Sequence, residues 1–145
     1  MSDSAWRAWL GDPLFVAALM LAIPVWVLAA RLHIHVASAG SGVGVLLSVA
    51  AIQPVCEELL FRGGIQGALK RRLPGLHLGC LSGANVITAV LFAAAHLWRQ
   101  PLWLAGAVLV PGLIYGCQRD RWGSIWPGAL LHVCHNAGLL AMGYL

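Results

Sequence analysis

Two adjacent glutamates inside an apolar run are the residues of this sequence best suited to chemistry. Glu57 and Glu58 follow a stretch that is apolar from Gly42 onward except for Ser48 and Gln53, and Arg62 comes four residues after Glu58. A charged side chain at membrane depth costs at least about 2.5–3.5 kcal/mol on insertion scales, so such residues indicate a functional site by default. The run therefore predicts a site built from two carboxylates and a guanidinium.

Helical spacing assigns different tasks to the two glutamates. Residues four apart lie on one face of a helix, so Glu58 and Arg62 are expected to form an ion pair. Glu57 lies about 100° away around the same helix. A carboxylate buried beside a second negative charge holds a proton more tightly. We therefore expect Glu57 to take up and release protons, as a general base does.

Two later apolar segments each carry a polar pair at helical spacing. Phe92 and His96 share one helix face, and so do His132 and Asn136. Imidazole and amide groups can donate hydrogen bonds to the oxyanion that develops in acyl transfer. Taken singly, each of these side chains could instead join two membrane helices by a hydrogen bond. His135 points about 60° away from His132, which favours a structural role for it.

The composition places these segments in a membrane. The chain is 60% hydrophobic and 10% charged, with a mean hydropathy of +0.81, whereas soluble domains carry about 25% charged residues. The net charge of +4 does not indicate nucleic-acid binding, because the basic residues lie between apolar runs. No Cys-x-x-Cys pair is present, so plain buried thiols are expected at the four cysteines, Cys56, Cys80, Cys117 and Cys134.

The apolar runs predict an all-α fold, a polytopic membrane helical bundle of about five transmembrane segments around a buried polar site. One domain is expected over residues 1–145, with its motif-bearing core at about 43–145. Pro24 and Pro54 are candidate helix kinks. The predicted segments are Leu14–Leu32, Val43–Arg72, Ser82–Leu97, Leu102–Cys117 and Ser124–Leu145.

The basic residues between the segments predict the orientation. With five full spans, one side of the membrane holds six of them and the other side holds Arg31 and Arg99. The positive-inside rule then places the N-terminus in the cytoplasm. An interfacial role is expected for the histidines at loops and helix ends, His33, His35 and His77.

Three motifs in a fixed order resemble those of the CPBP family, which contains type II CAAX prenyl endopeptidases and Abi-like proteins. The motifs are Glu57-Glu58-x-x-x-Arg62, Phe92-x-x-x-His96 and His132-x-x-x-Asn136, and the resemblance extends over about Ser48 to Gly138.

The resemblance implies an intramembrane glutamic endopeptidase. We separately expect no metal and no cofactor, because Glu57 itself can deprotonate water and Glu58 is expected to be bound to Arg62. Glu57 would activate water, and His96 would help to orient it. Glu58 and Arg62 would brace the site, while the imidazole and amide of the last motif would bind the oxyanion.

The resemblance also implies a substrate class. Short members of this type are similar to bacterial sorting-tag proteases, which act on a C-terminal anchor made of a short motif, a transmembrane helix and a basic end. The implied partners are a membrane-anchored protein or peptide substrate and the lipid bilayer, with no nucleic acid. The implied location is a bacterial inner membrane.

Two other functions compete with this interpretation. One is a zinc-dependent membrane metallopeptidase, because Glu57, His96 and His132 together form a ligand set found in catalytic zinc sites. The other is a non-catalytic immunity factor or chaperone, in which the same polar network serves only packing. A proton-coupled transporter is less favoured, because the sequence lacks an inverted repeat.

Overall fold

The computed structural model describes residues 8–32, 43–73, 75 and 77–142, and they are almost entirely helical. The all-α prediction is confirmed at this level, with one short antiparallel hairpin added. In chain order the elements are α1 (Pro13–Arg31), α2 (Val43–Arg72), β1 (His77–Leu78), β2 (Leu81–Ser82), α3 (Gly83–His96), α4 (Leu102–Ala107), α5 (Leu109–Trp122) and α6 (Trp126–Ala141).

The chain divides into two compact units. The terminal unit comprises Met1–Pro54 and Leu130–Leu145, and the central unit comprises Val55–Ala129. The boundaries fall inside α2 and α6, so both long helices contribute residues to each unit. The single-domain organisation stays a prediction, because units defined by contacts can belong to one domain.

Two helices are long and apolar enough to cross a membrane. They are α1, with a mean hydropathy of 2.3, and α2, with 1.6. Only 22% and 11% of their most apolar windows are buried inside the protein, so most of their apolar side chains face outward, as lipid-facing side chains do. The helix α3 is apolar but shorter. The number of five transmembrane segments therefore stays a prediction.

The helix α2 keeps its predicted bounds but not a uniform α-helical geometry. It contains π-helical turns at Ser48–Ile52 and Leu59–Gln66, on either side of an α-helical turn at Gln53–Glu58. Proline cannot donate a backbone hydrogen bond and usually kinks a helix. Here Pro54 follows the first π turn, in which Gln53 N donates to Ser48 O, and the helix continues without ending. Such π turns occur often at functional sites.

The predicted boundaries of the fourth segment, Leu102–Cys117, are wrong. The segment consists of two helices that meet at Val108, and the second continues to Trp122 rather than ending at Cys117. The stretch from Gln118 to Trp122 is polar and lies between the fourth and fifth predicted segments. It is helical because Gln118 is buried and Asp120 is paired across to α2. Gly123 ends the helix in the left-handed conformation, with φ of 64°.

The central unit is built around α3, which packs against α5 and against the second half of α2. Ser82 caps the start of α3, where its hydroxyl accepts from Asn85 N at 3.0 Å. The buried interior mixes apolar rings with many polar groups, namely Phe61, Phe92 and Tyr115 together with Glu58, Arg62, Gln66, Asn85, Thr88 and Gln118.

The expectation of four unpaired thiols is wrong for two of the cysteines. Cys80, in the hairpin turn, forms a disulfide with Cys117 of α5, across a Cα–Cα distance of 5.3 Å. The sequence separation of 37 residues concealed this proximity, because the hairpin folds back onto α5. Cys56 and Cys134 are free, as expected, although Cys56 is exposed rather than buried.

Candidate active site

The ion pair predicted from helical spacing is present in the central unit. Glu58 Oε1 lies 3.2 Å from Arg62 Nη1, and both residues are 0% exposed. Pairs buried in this way are retained in proteins although desolvation offsets much of their attraction. The arrangement therefore indicates that Glu58 and Arg62 fix geometry at this point of α2.

Arg62 is held from three other directions. Its Nη2 donates to Gly112 O of α5 at 2.8 Å. Its guanidinium carbon lies 4.4 Å from the ring centroid of Phe92 and 5.5 Å from that of Tyr115. Cation–π contacts of this kind contribute about 0.5–2 kcal/mol each. Arg62 therefore fastens α2 to both α3 and α5.

Glycines let the neighbouring helices approach this pair. A Cβ atom added to Gly112 would lie 3.3 Å from the Phe92 ring. One added to Gly128, at the start of α6, would lie 3.2 Å from Glu58 Oε2 and 3.2 Å from Tyr115 O. All three distances are tighter than ordinary van der Waals contact, so the close packing around Glu58 and Arg62 depends on these glycines.

The two glutamates differ in burial, in agreement with the different roles that the sequence predicts for them. Glu58 is fully buried, whereas Glu57 is only partly buried. They share the α-helical turn that immediately precedes the second π-helical segment. Because Glu58 is anchored by Arg62, the backbone of its neighbour Glu57 is fixed as well, while the Glu57 side chain keeps a partly exposed surface.

His96 is oriented by the backbone of its own helix. Its Nδ1 lies 2.8 Å from Phe92 O, and a carbonyl oxygen can only accept a hydrogen bond. In the neutral tautomer that this bond selects, Nδ1 carries the proton and Nε2 is a hydrogen-bond acceptor. The ring packs edge-on against Phe92 with centroids 4.6 Å apart. His96 thus contacts the ring that also packs against Arg62.

His132 and Asn136 belong to the terminal unit and are described within it. His132 is buried. Asn136 Nδ2 donates to Val49 O, in the first π turn of α2, at 3.1 Å. This bond uses one of the two N–H groups of the amide. The convergence of His132 and Asn136 on Glu57 and His96 stays a prediction.

His135 has the structural role expected from its position on the helix. Its Nε2 lies 3.3 Å from Ala18 O, and its own carbonyl accepts from Trp26 Nε1 at 3.2 Å. The Trp26 ring lies directly against Gly138, where a Cβ atom would overlap it. These contacts join α1 to α6. His33 and His35 lie outside the described residues, and His77 is exposed in β1.

Comparison with known protein families identifies the family of the chain. A model of type II CAAX prenyl endopeptidases, Rce1-like, matches residues 39–138, more than half of the chain. The chain belongs to the Rce1-like family. All three motifs lie inside the matched region, and the resemblance seen in the sequence is confirmed. As a member of the Rce1-like family, the protein is membrane-integral and helical.

One curated protein is similar to part of the chain. An uncharacterized 24.3 kDa protein of Escherichia coli is 35% identical over 89 residues, which are 61% of this chain and 39% of the relative. The chain thus spans well under two thirds of the length of the Escherichia coli protein. No solved structure matches the chain.

Several buried polar residues of this Rce1-like protein were missed in the sequence. Gln66 Nε2 donates to Gly116 O, and Asn85 Nδ2 donates to Leu113 O, both at 3.0 Å. Two signals could have revealed them. Gln66 continues the stripe of Glu58 and Arg62 at four-residue spacing, and the small residues Gly112 and Gly116, four apart, are typical of close helix packing in membranes.

The described residues include no group of three or more His, Cys, Asp or Glu side chains placed to hold a metal ion. The zinc ligand set considered in the sequence, Glu57, His96 and His132, stays an alternative. The chelation experiment below tests the metal question directly.

Proposed function

We propose that the protein is an intramembrane endopeptidase in which Glu57 activates the attacking water. The contrast between the two adjacent glutamates carries the proposal. Glu58 is fully buried and bound to Arg62, whereas Glu57 is partly exposed on the same rigid turn. A general base must be both positioned and reachable by its substrate. Membership of an endopeptidase family supports the same assignment.

The proposed reaction needs only the protein's own groups and water. Glu57 takes a proton from water while the water oxygen attacks the carbonyl carbon of the scissile peptide bond. His96 Nε2 accepts the second hydrogen of that water and so orients it, which its Nδ1 bond to Phe92 O supports. When the C–N bond breaks, Glu57 passes its proton to the leaving nitrogen.

His132 and Asn136 are the proposed donors to the oxyanion of the tetrahedral intermediate. Removal of a single oxyanion donor typically slows an enzyme by about 10²–10³-fold. The bond from Asn136 to Val49 O supports this role, because it fixes the plane of the amide and therefore the direction of its second N–H.

The proposed substrate is a membrane-anchored protein that is cut near the bilayer, at a C-terminal sorting tag or CAAX-like tail. Membership of the Rce1-like family of type II CAAX prenyl endopeptidases supports this class. The proposed location is a bacterial inner membrane with the N-terminus in the cytoplasm. The distribution of basic residues, six on one side and two on the other, supports that orientation.

Replacement of Glu57 tests the proposal. Glu57→Gln keeps the shape of the side chain and removes its basicity, so we expect cleavage of a membrane-anchored peptide to fall by about 10²–10⁴-fold. Gln53→Ala, an exposed substitution one turn earlier in α2, is the matched control and should retain activity. Wild-type cleavage by correctly folded Glu57→Gln protein would overturn the assignment of Glu57 as the general base. A wild-type protein that cleaves no membrane-anchored peptide would instead favour the immunity or chaperone alternative.

An activity measurement after metal chelation distinguishes the glutamate mechanism from the zinc alternative. Glu58 is bound to Arg62 and is therefore not available to orient a metal-bound histidine in the way that outer carboxylates do. We expect activity to survive exhaustive chelation, with elemental analysis made on the same sample. Loss of activity on removal of stoichiometric zinc, and its return with zinc, would favour the metallopeptidase.

A further inference from the structure

One end of the central unit carries a dense group of basic residues. Five of them lie at the ends of α2 and α5, and the acidic residue in these two stretches is Asp120. We call this group the basic end, and it consists of Lys70, Arg71, Arg72, Arg119 and Arg121.

Side-chain contacts hold the two helix ends together. Lys70 Nζ lies 2.9 Å from Asp120 Oδ1, and one turn earlier Gln66 donates to Gly116 O. Arg71 and Arg72 are exposed beside this contact. Because these two stretches of sequence carry five basic residues and one acidic residue, the basic end has a net positive charge that attracts anions.

An apolar groove begins next to the basic end. It has a volume of about 340 Å³ and is lined mainly by the hairpin and the first turns of α3. Leu78 is 81% exposed beside it, and Val86 and Ile87 are exposed along it. Exposed apolar side chains of this size are stable where lipid chains cover them.

One side chain connects the groove to the basic end. Ser82 lines the groove, and its hydroxyl donates to Asp120 Oδ2 at 2.6 Å. Asp120 in turn binds Lys70 through its other oxygen. Two hydrogen bonds therefore separate the wall of the groove from the first residue of the basic end.

From this arrangement we infer a binding site for an anionic phospholipid of the bilayer. The phosphate group is bound by Arg71 and Arg72 beside Lys70, and an acyl chain lies in the groove between Leu78 and Ile87. A soluble anion would use the basic end but not the groove, whereas a phospholipid uses both. Trp122, whose ring lies 5.8 Å from the guanidinium carbon of Arg121, is of the type enriched at the level of lipid headgroups.

Competition between two lipids tests the site. The full chain, purified in detergent, is equilibrated with equal amounts of phosphatidylglycerol and phosphatidylcholine, and native mass spectrometry gives the ratio of the two lipids bound. We expect the wild type to prefer phosphatidylglycerol. The double substitution Arg71→Gln with Arg72→Gln should reduce that preference by about fivefold for each charge removed.

Matched variants decide whether position or charge matters. Arg31→Gln with Arg99→Gln removes the same charge from exposed residues outside the basic end, and should leave the preference unchanged. Leu78→Ser with Ile87→Ser should weaken retention of both lipids, because the groove holds the chain. Equal loss in both arginine pairs, or no preference in the wild type, would overturn the proposal.

A competitor distinguishes a lipid from a free phosphate. Inorganic phosphate lacks an acyl chain, so millimolar phosphate should not displace phosphatidylglycerol from the wild type. Displacement at that concentration would reduce the site to an anion site without a role for the groove. The wild-type measurement stands even if a groove variant fails to fold.

Discussion

Arg62 connects α2 to both α3 and α5 through polar and aromatic contacts. It binds Glu58 and Gly112 O, and it packs against the rings of Phe92 and Tyr115. A buried ion pair adds little net stability compared with apolar packing. Its value here is positional, because the same contacts fix the turn that carries Glu57 and the ring that contacts His96.

Removing either partner of the ion pair should therefore damage folding as well as activity. Glu58→Ala and Arg62→Ala each leave a buried charge unpaired, which typically costs about 3–5 kcal/mol. The double variant should be less destabilised than the sum of the singles, because the lone charge is gone. Thermal unfolding in detergent measures the three variants, with Arg99→Ala as an exposed control. Strict additivity would contradict the pairing.

The sequence predicts some residues of the site but not their surroundings. Glu58 with Arg62, and Phe92 with His96, were predictable because four-residue spacing on one helix fixes their proximity. The hydrogen-bond partners of Gln66 and Asn85 were not predictable, because they are backbone carbonyls of α5. Those carbonyls are 50 and 28 residues away in the chain, respectively, and are reached only after the helices pack.

At the scale of elements, the ends of helices were more predictable than their inner geometry. Apolar runs gave the bounds of α1 and α2 to within one residue, and Ser82 marked the start of α3. The π turns of α2 carry no distinct hydropathy signal, so they could not be predicted. The break at Val108 was missed for the same reason, since α4 and the start of α5 form one apolar stretch.

The contact between α3 and α5 gives a prediction for a single glycine. A Cβ atom on Gly116 would overlap the Asn85 amide, which is itself held by Leu113 O. Gly116→Ala should therefore destabilise the protein by about 1–3 kcal/mol, as overpacking does. Gly106→Ala is the control, because nothing lies within 4 Å of its added Cβ atom.

Unfolding curves of the two alanine variants in the same detergent make this comparison. The added methyl group of Gly106→Ala favours a helix, so that variant should match the wild type or exceed it. If Gly116→Ala unfolds at the wild-type temperature, the close approach of α3 and α5 at Asn85 is absent in solution.

For the whole molecule, the composition predicts the membrane class, and family membership confirms it. Only α1 and α2 satisfy the length and hydropathy of a span among the described residues. The other helices are short or carry polar groups that pack inside the central unit. Hydropathy alone overlooked the extension of α5 and the hairpin, because both are stabilised by tertiary contacts rather than by apolar length.

The disulfide gives a prediction for the stability of the whole chain. The bond between Cys80 and Cys117 fastens the hairpin to α5. Its loss should lower the unfolding temperature, since disulfides typically contribute about 2–4 kcal/mol. Reductant should therefore shift the wild type to the temperature of Cys117→Ser. A double variant of the free cysteines, Cys56→Ser with Cys134→Ser, should keep its response to reductant. A wild type that ignores reductant would contradict the bond.

The same disulfide is also informative about the orientation of the protein, because it indicates which side of the membrane its surface faces. Disulfides persist in oxidising compartments and are rare in the cytosol, whereas clusters of Lys and Arg favour the cytosolic side. The disulfide lies beside the basic end. Cys80 is two residues before Ser82, whose hydroxyl donates to Asp120, and Asp120 in turn binds Lys70. The two signals therefore oppose each other on one surface. If that surface faces the cytosol, the thiols stay reduced at rest and the hairpin is fastened only under oxidative stress. If it faces outward, the fastening is permanent and the positive-inside rule fails for this chain. The oxidation state of one cysteine pair in intact cells therefore reports the orientation of the protein.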